Sequence, residues 1–188
     1  VIEVISGTDR PNSFTLRVAN YVAGIYREQQ APVGVIDLCQ LNMMDVAGGE
    51  YFKGARGTYQ AAEERVVRAD ALVVVVPEYN GSYPGALKLF IDYWRYPLAF
   101  ENRPIAFVGL GGRWGALRPV EHLQQVFGYR NAFIFPHRVF LTNIKNIFKD
   151  GKVDDALIHD LLQIQARDFL KFIVALKGQG LDALSRKP

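Results

Sequence analysis

The chain has 188 residues, 49% of them hydrophobic and 22% charged, proportions of one globular domain that exclude a disordered, collagenous or repeat-built polypeptide. Its 22 basic and 19 acidic side chains leave a net charge of +3, and no stretch stacks Lys and Arg on one face with aromatics between them, so nucleic acid is not an expected partner. The longest apolar run, Ala71 to Pro77, is far short of the ~20 residues of a bilayer span, and the single Cys39 permits neither an internal disulfide nor a cysteine metal site, so a cytoplasmic, reducing setting with no membrane partner is expected.

Val1 to Ser6 is short and β-branched, and the polar cluster Gly7 to Ser13 follows it. Apolar residues then recur at Leu16, Ala19, Ala23 and Tyr26, which gives strand, loop and helix. Val33 to Leu38 is a second strand, Asn42 to Gly57 a long glycine-bearing connection, and Tyr59, Ala62, Val66 and Ala69 mark a second helix. The run Ala71 to Val76 spares no polar residue for a solvent face, as expected of a strand buried on both sides in a parallel sheet. Ser82 and Pro84 open a third helix, Pro84 suiting a first turn because its missing N–H would have no partner there. A fourth strand is expected over Pro104 to Leu110, a fourth helix over Trp114 to Phe127 and a fifth strand over Asn131 to Phe135. Val139 to Gly151 reads as an insertion, and the last helix carries Ile158, Leu162, Ala166, Phe169, Ile173 and Leu176 on one stripe. Five strands alternating with helices define one doubly wound α/β domain over residues 1–177, with 178–188 expected as a flexible tail. In such a sheet ligands sit beyond the carboxyl ends of the strands, so the loops after strands one, three and four are the places to look.

The loop after strand one, Ser6 to Thr15, holds four hydroxyl residues and Arg10 and empties into a helix. Free N–H groups, the positive end of the helix dipole and the arginine together form a phosphate cradle. The plainer alternative is that Asn12 or Ser13 caps the helix and Arg10 is solvated. The loop lacks the Gly-Lys-Ser/Thr of a P-loop. After strand three, Pro77 to Gly85 presents Tyr79 as a flat surface and lets the backbone at Asn80 and Gly81 approach a planar heterocycle; the alternative is a simple turn with Ser82 as a cap. After strand four, Gly109 to Gly115 nearly spells G-x-G-x-x-G but carries Trp114 in place of the third glycine.

The two motifs Gly7-Thr8-x-Arg10-x-x-Ser13 and Pro77-Glu78-Tyr79-Asn80-Gly81-Ser82-x-Pro84-Gly85-x-Leu87-Lys88 resemble the NADPH-dependent FMN reductase family, a flavodoxin-like group that includes chromate, azo-dye and quinone reductases. The resemblance covers the chain through about strand five and implies a five-stranded parallel sheet of order 2-1-3-4-5 with helices on both faces. It implies FMN phosphate at Thr8, Arg10, Ser13 and Thr15, the isoalloxazine ring along Pro77, Glu78, Tyr79, Asn80 and Gly81, and its other side bordered by Gly111, Gly112 and Arg113. Asp9, a carboxylate beside a dianion, and Thr15, where asparagine is common, depart from the pattern.

The resemblance further implies hydride transfer from NADPH or NADH through bound FMN to a quinone, azo compound, free flavin or metal oxyanion, by ping-pong kinetics and with no catalytic acid from the protein. A flavin- or nucleotide-binding sensor that no longer turns over is the alternative, motivated by Asp9. A receiver domain does not match, because Ser6-Gly7, Pro77 and Pro136-His137 stand where its acids and lysine belong. His122, His137 and His159 lack ligand spacing, so no metal site is expected. Glu63 and Glu64 read as a solvated helix face, and Cys39 as a buried small hydrophobe. Phe90, Ile91, Tyr93, Trp94, Tyr96 and Phe100 crowd a short segment and point to a homodimer or homotetramer.

Overall fold

The computed structural model describes residues 1–47 and 54–185. In chain order it runs β1 (Ile2–Ser6), α1 (Phe14–Glu28), β2 (Val33–Asp37), α2 (Gly57–Arg68), β3 (Ala71–Pro77), α3 (Gly85–Asp92), β4 (Pro104–Leu110), α4 (Leu117–Tyr129), β5 (Phe133–Ile134), β6 (Val139–Leu141), the single turn α5 (Ile144–Ile147), a hairpin of β7 (Phe148–Lys149) and β8 (Lys152–Val153), and α6 (Ala156–Gly178). The main sheet is parallel with order β2-β1-β3-β4-β5, and β6 also pairs with β4. This is the expected flavodoxin-like topology, and its strand order reverses between β1 and β3.

Every residue of β3 and β4 is buried, and the alternation of side chains divides them between two cores. Val73, Val75, Ala106 and Val108 face α1 and α6, packing with Val18, Val22, Leu162, Ala166 and Phe169. Leu72, Val74, Val76, Ile105 and Phe107 face the other way, against Ala62, Val66, Leu87, Phe90, Leu123 and Phe127 of α2, α3 and α4. Gly7 prolongs β1, its amide donating to the Val75 carbonyl at 2.9 Å. A Cβ there would stand 2.9 Å from that same oxygen, so a larger residue would push β1 off β3.

The fifth strand differs from expectation. It is divided: β5 pairs with Pro104 and Ile105, β6 pairs with Val108 to Leu110, and Phe135 to Arg138 bulge between them. Val139 to Leu141, expected inside an insertion, thus belongs to the sheet. The bulge contains Pro136, which has no N–H to donate. Gln165, buried on α6, braces it: its Nε2 donates to Phe107 O at 3.0 Å and to His137 O at 2.7 Å.

Other expectations are corrected. Glu63 is not on a solvated face; it is 4% exposed and receives the Arg95 guanidinium and amide, with Nε–Oε1 at 2.9 Å and N–Oε1 at 3.2 Å. Glu64 lies one position round the helix and pairs with Arg68. Helix α4 begins at Leu117 rather than Trp114, behind Ala116 in the left-handed region. Cys39 is half-buried in a short 3-10 turn beyond β2, not within the core. Phe90, Ile91, Tyr93, Trp94 and Phe100 are buried by this chain itself, and only Tyr96 is exposed, so the aromatic surplus is core and does not of itself require another subunit. Of the glycine-bearing connection, Gly48 and Gly49 lie outside the described residues. After α6 the Leu181 amide returns to Leu176 O, and Asp182 is buried with Ser185 as a hydrogen-bond partner. Among the described residues no helix is long and apolar enough to cross a membrane, and no three His, Cys, Asp or Glu side chains cluster as metal ligands.

Candidate functional site

A cavity of about 310 Å³ opens at the carboxyl edge of the sheet, beside the reversal of strand order, where a doubly wound fold holds its ligands. One wall is the start of α1. Ser13 is the N-cap, its Oγ accepting from the Leu16 amide at 3.1 Å, and because it accepts there its hydroxyl proton stays available. The amides of Asn12, Ser13, Phe14 and Thr15 have no acceptor among the described residues, as expected of a helix start. Arg10, Ser13 and Thr15 line this wall, and Lys145 of α5 lines it with them. Unpaired N–H groups, two cations and the positive end of a 15-residue helix make an anion seat.

The opposite wall is Pro77, Glu78 and Tyr79, with Leu110, Gly111 and Ile144. Tyr79 is held by a two-residue hairpin turn in which its amide donates to Ser82 O at 2.8 Å and the Ser82 amide returns to Tyr79 O at 3.1 Å. Asn80 and Gly81, at φ 52° and 76°, are the residue types such a turn demands. Thr8 fixes the ring's far end: its hydroxyl and that of Tyr79 lie 2.8 Å apart, and it also accepts the Arg10 amide at 3.3 Å. The Arg10 guanidinium rests 5.0 Å from the Tyr79 ring centroid, a cation–π contact that keeps the charge at the cavity mouth.

The glycine loop is tied down. The Gly111 amide donates to Leu141 O at 3.1 Å, and the carbonyls of Gly111 and Gly112 accept from Ile144 and Asn143 at 3.0 and 2.9 Å. This pairing carries Lys145 to the cradle. It also leaves the Gly112 amide, not that of Gly111, as the loop's open donor. The structure therefore brings Arg10, Ser13, Thr15, Pro77, Glu78, Tyr79 and Gly111 onto one cavity. Thr8 lies fully buried behind the wall, Asn80 and Gly81 form the turn, and Gly112 and Arg113 sit outside the cavity. Asp9 is exposed, off the wall; its charge reaches Tyr59 instead, whose phenol is raised by burial first and then by Asp9 and Asp45.

Lys145, Phe14, Leu110 and Ile144 were not read as site residues from sequence, although Lys145 falls in the long segment after strand five where a functional loop was expected. The donor set fits a mononucleotide: a dianion suits the cationic, amide-rich end, and a planar ring suits the apolar side formed by Pro77, Tyr79, Leu110 and Ile144.

Fold and site together define a flavodoxin-like, doubly wound protein with a cavity at the carboxyl edge of its sheet. Comparison with known proteins narrows the class, since residues 2–146 match the family model of the NADPH-dependent FMN reductases, and the chain belongs to that family of FMN- and NAD(P)H-using oxidoreductases. It is 27% identical over 179 residues to an FMN-dependent NADPH-azoreductase of Staphylococcus haemolyticus, covering 92% of each chain. In fold it is similar to the flavoenzyme NAD(P)H:(acceptor) oxidoreductase FerB of Paracoccus denitrificans, with a TM-score of 0.75 at 20% identity over 93% of this chain and 97% of that one. It is also similar to Megasphaera elsdenii flavodoxin, with a TM-score of 0.58 at 12% identity over 89% and 99%.

Proposed function

We propose that this chain binds FMN and passes reducing equivalents from NADPH or NADH to a small oxidised acceptor: a quinone, azo compound, free flavin or metal oxyanion. The observation that carries the reading is the single cavity that brings together Arg10, Lys145 and the unpaired amides of the α1 start with Pro77, Glu78 and Tyr79. FMN, when bound, would supply the hydride relay that no side chain here can perform. Arg10, Lys145, Ser13, Thr15 and the α1 amides would hold its phosphate. Pro77, Glu78, Tyr79 and Gly111 would line its ring, with Asn80 and Gly81 holding Tyr79 through the turn and Gly112 and Arg113 beyond the cavity. Thr8 acts one step back, locking Tyr79 and the Arg10 backbone. No side chain need donate or remove a proton, so none is assigned as catalytic, and two substrates that would reduce and reoxidise the same flavin in turn give ping-pong kinetics.

Asp9, which motivated a non-catalytic reading, is exposed and off the cavity wall, so solvent screens its repulsion of a bound phosphate. The same reading places the protein in the cytoplasm, where NAD(P)H is made, and as a homodimer or homotetramer. Tyr129, 80% exposed on α4, supports such an assembly, and light scattering at micromolar protein would count the subunits. The purified protein is expected to be yellow, with one FMN per chain, and NADPH is expected to bleach the flavin absorbance in anaerobic stopped flow. A colourless protein that takes up no FMN would refute the proposal. Binding without bleaching would identify a sensor instead.

A further inference from the structure

Glu78 lines two cavities. Besides the cofactor cavity it borders a second, about 300 Å³, whose other walls are Trp114, Leu117, Arg118 and Glu121. Trp114 is the residue that breaks the glycine pattern, and it is 64% exposed, which is unusual for so large an apolar side chain. It is nevertheless braced, with the Arg113 guanidinium 4.9 Å from its ring centroid. Leu117, three residues on at the start of α4, is 43% exposed. Arg118 reaches back to the Tyr79–Ser82 turn, its Nη1 only 3.0 Å from where a Cβ on Gly81 would lie, and it makes no ion pair among the described residues. Glu78 thus joins the two cavities, and Arg118 ties the second to the turn that carries Tyr79.

We propose that this shelf is the acceptor subsite and that it selects planar aromatic acceptors of one or two rings, with Trp114 as the stacking residue and Arg118 facing an electron-rich oxygen or nitrogen of the acceptor. The redox role rests on the FMN reading above, whereas the binding does not. Charge favours a ring compound over the nicotinamide nucleotide. Arg118 is the one cation on the cavity wall, against the carboxylates of Glu78 and Glu121, so a string of phosphates would meet like charge while a neutral quinone or azo compound meets none. A flat apolar ring beside a cation is also a surface on which a second ring stacks.

Tryptophan emission and acceptor kinetics test the shelf. Trp94, the other tryptophan, is only 5% exposed, so saturable quenching by 1,4-naphthoquinone is expected in the wild-type chain and not in Trp114→Phe. In steady state, Trp114→Ala is expected to raise the KM for naphthoquinone about tenfold relative to that for ferricyanide, which has no ring, and Trp114→Phe to restore the ratio to within about twofold. Non-saturating quenching, equal changes for both acceptors, or a rise confined to the KM for NADPH would each overturn the proposal. Saturable, Trp114-dependent quenching in a chain that takes up no FMN would uphold the shelf while refuting the flavin reading.

Discussion

At the scale of residues the cradle depends on two cations from distant parts of the chain. Arg10 stood out as a candidate because it lies three positions before a helix cap in a loop of hydroxyls, a spacing that serves a capped helix with a solvated arginine as well as an anion site. Lys145 was not, because its place is fixed by backbone bonds between residues 111–112 and 141–144 that no local pattern encodes. The hydroxyls divide similarly: Ser13 and Thr15 line the cavity, but Thr8 is consumed by Tyr79, a distinction that spacing does not contain. Replacing Arg10 by Ala should remove one charged hydrogen bond, about 1.5 to 3 kcal/mol, or roughly ten- to a hundredfold in FMN affinity. Lys145→Ala should weaken binding by about tenfold, since an ammonium acts as a point charge rather than a fork. Asp9→Asn should stay within about twofold of wild type. Fluorescence titration with FMN measures all three, and an unchanged Arg10→Ala would place the phosphate elsewhere.

At the scale of elements, β1, β3, β4 and the buried stripe of α6 were legible because each is specified by its own run of residues. The fifth strand was not, because its two halves make sense only with α6 packed beneath them. Pro136 withholds a donor at the bulge, and Gln165 braces it from 58 residues downstream of Phe107. The same long-range logic hid Glu63, which looked like half of an exposed acidic pair until α3's end delivered Arg95 to it. Gln165→Met keeps the volume but removes the side-chain donor to the carbonyls of Phe107 and His137. Losing that buried donor costs about 1 to 3 kcal/mol, the loss expected in urea unfolding. A change below about 0.5 kcal/mol would mean that the bulge is satisfied by other means.

At the scale of the whole molecule, recognition and cohesion occupy opposite edges of the sheet. The cavity lies beyond the carboxyl ends of β1, β3 and β4, while the amino ends gather a charge cluster built from three parts of the chain. Arg103, 0% exposed, donates from Nη2 to Val67 O at 3.1 Å and to Leu98 O at 2.9 Å. Burial lowers its pKa to about 10, against the pull of Asp70 and Asp182. Asp70, just before β3, also binds Lys177 at the end of α6 at 2.7 Å. Burial pushes its carboxyl up, but the hydrogen bonds it accepts, that from Lys177 foremost, outweigh burial and hold it below the ordinary carboxylate value.

A carboxyl lowered in the folded state stabilises the fold above its unfolded pKa, and that contribution is lost as pH falls through the folded value. The Asp70 contribution should therefore be complete at neutral pH and be lost as pH falls below the ordinary carboxylate value of about 4, loosening α6 from the sheet and leaving Arg103 with less compensation. Asp70→Asn should be less stable than wild type by about 1 to 2 kcal/mol at pH 7 and should lose less further stability over the acid range, so that the two curves converge. Urea unfolding at a series of pH values reads this directly, and parallel curves would show that the acid limb is governed by other carboxylates.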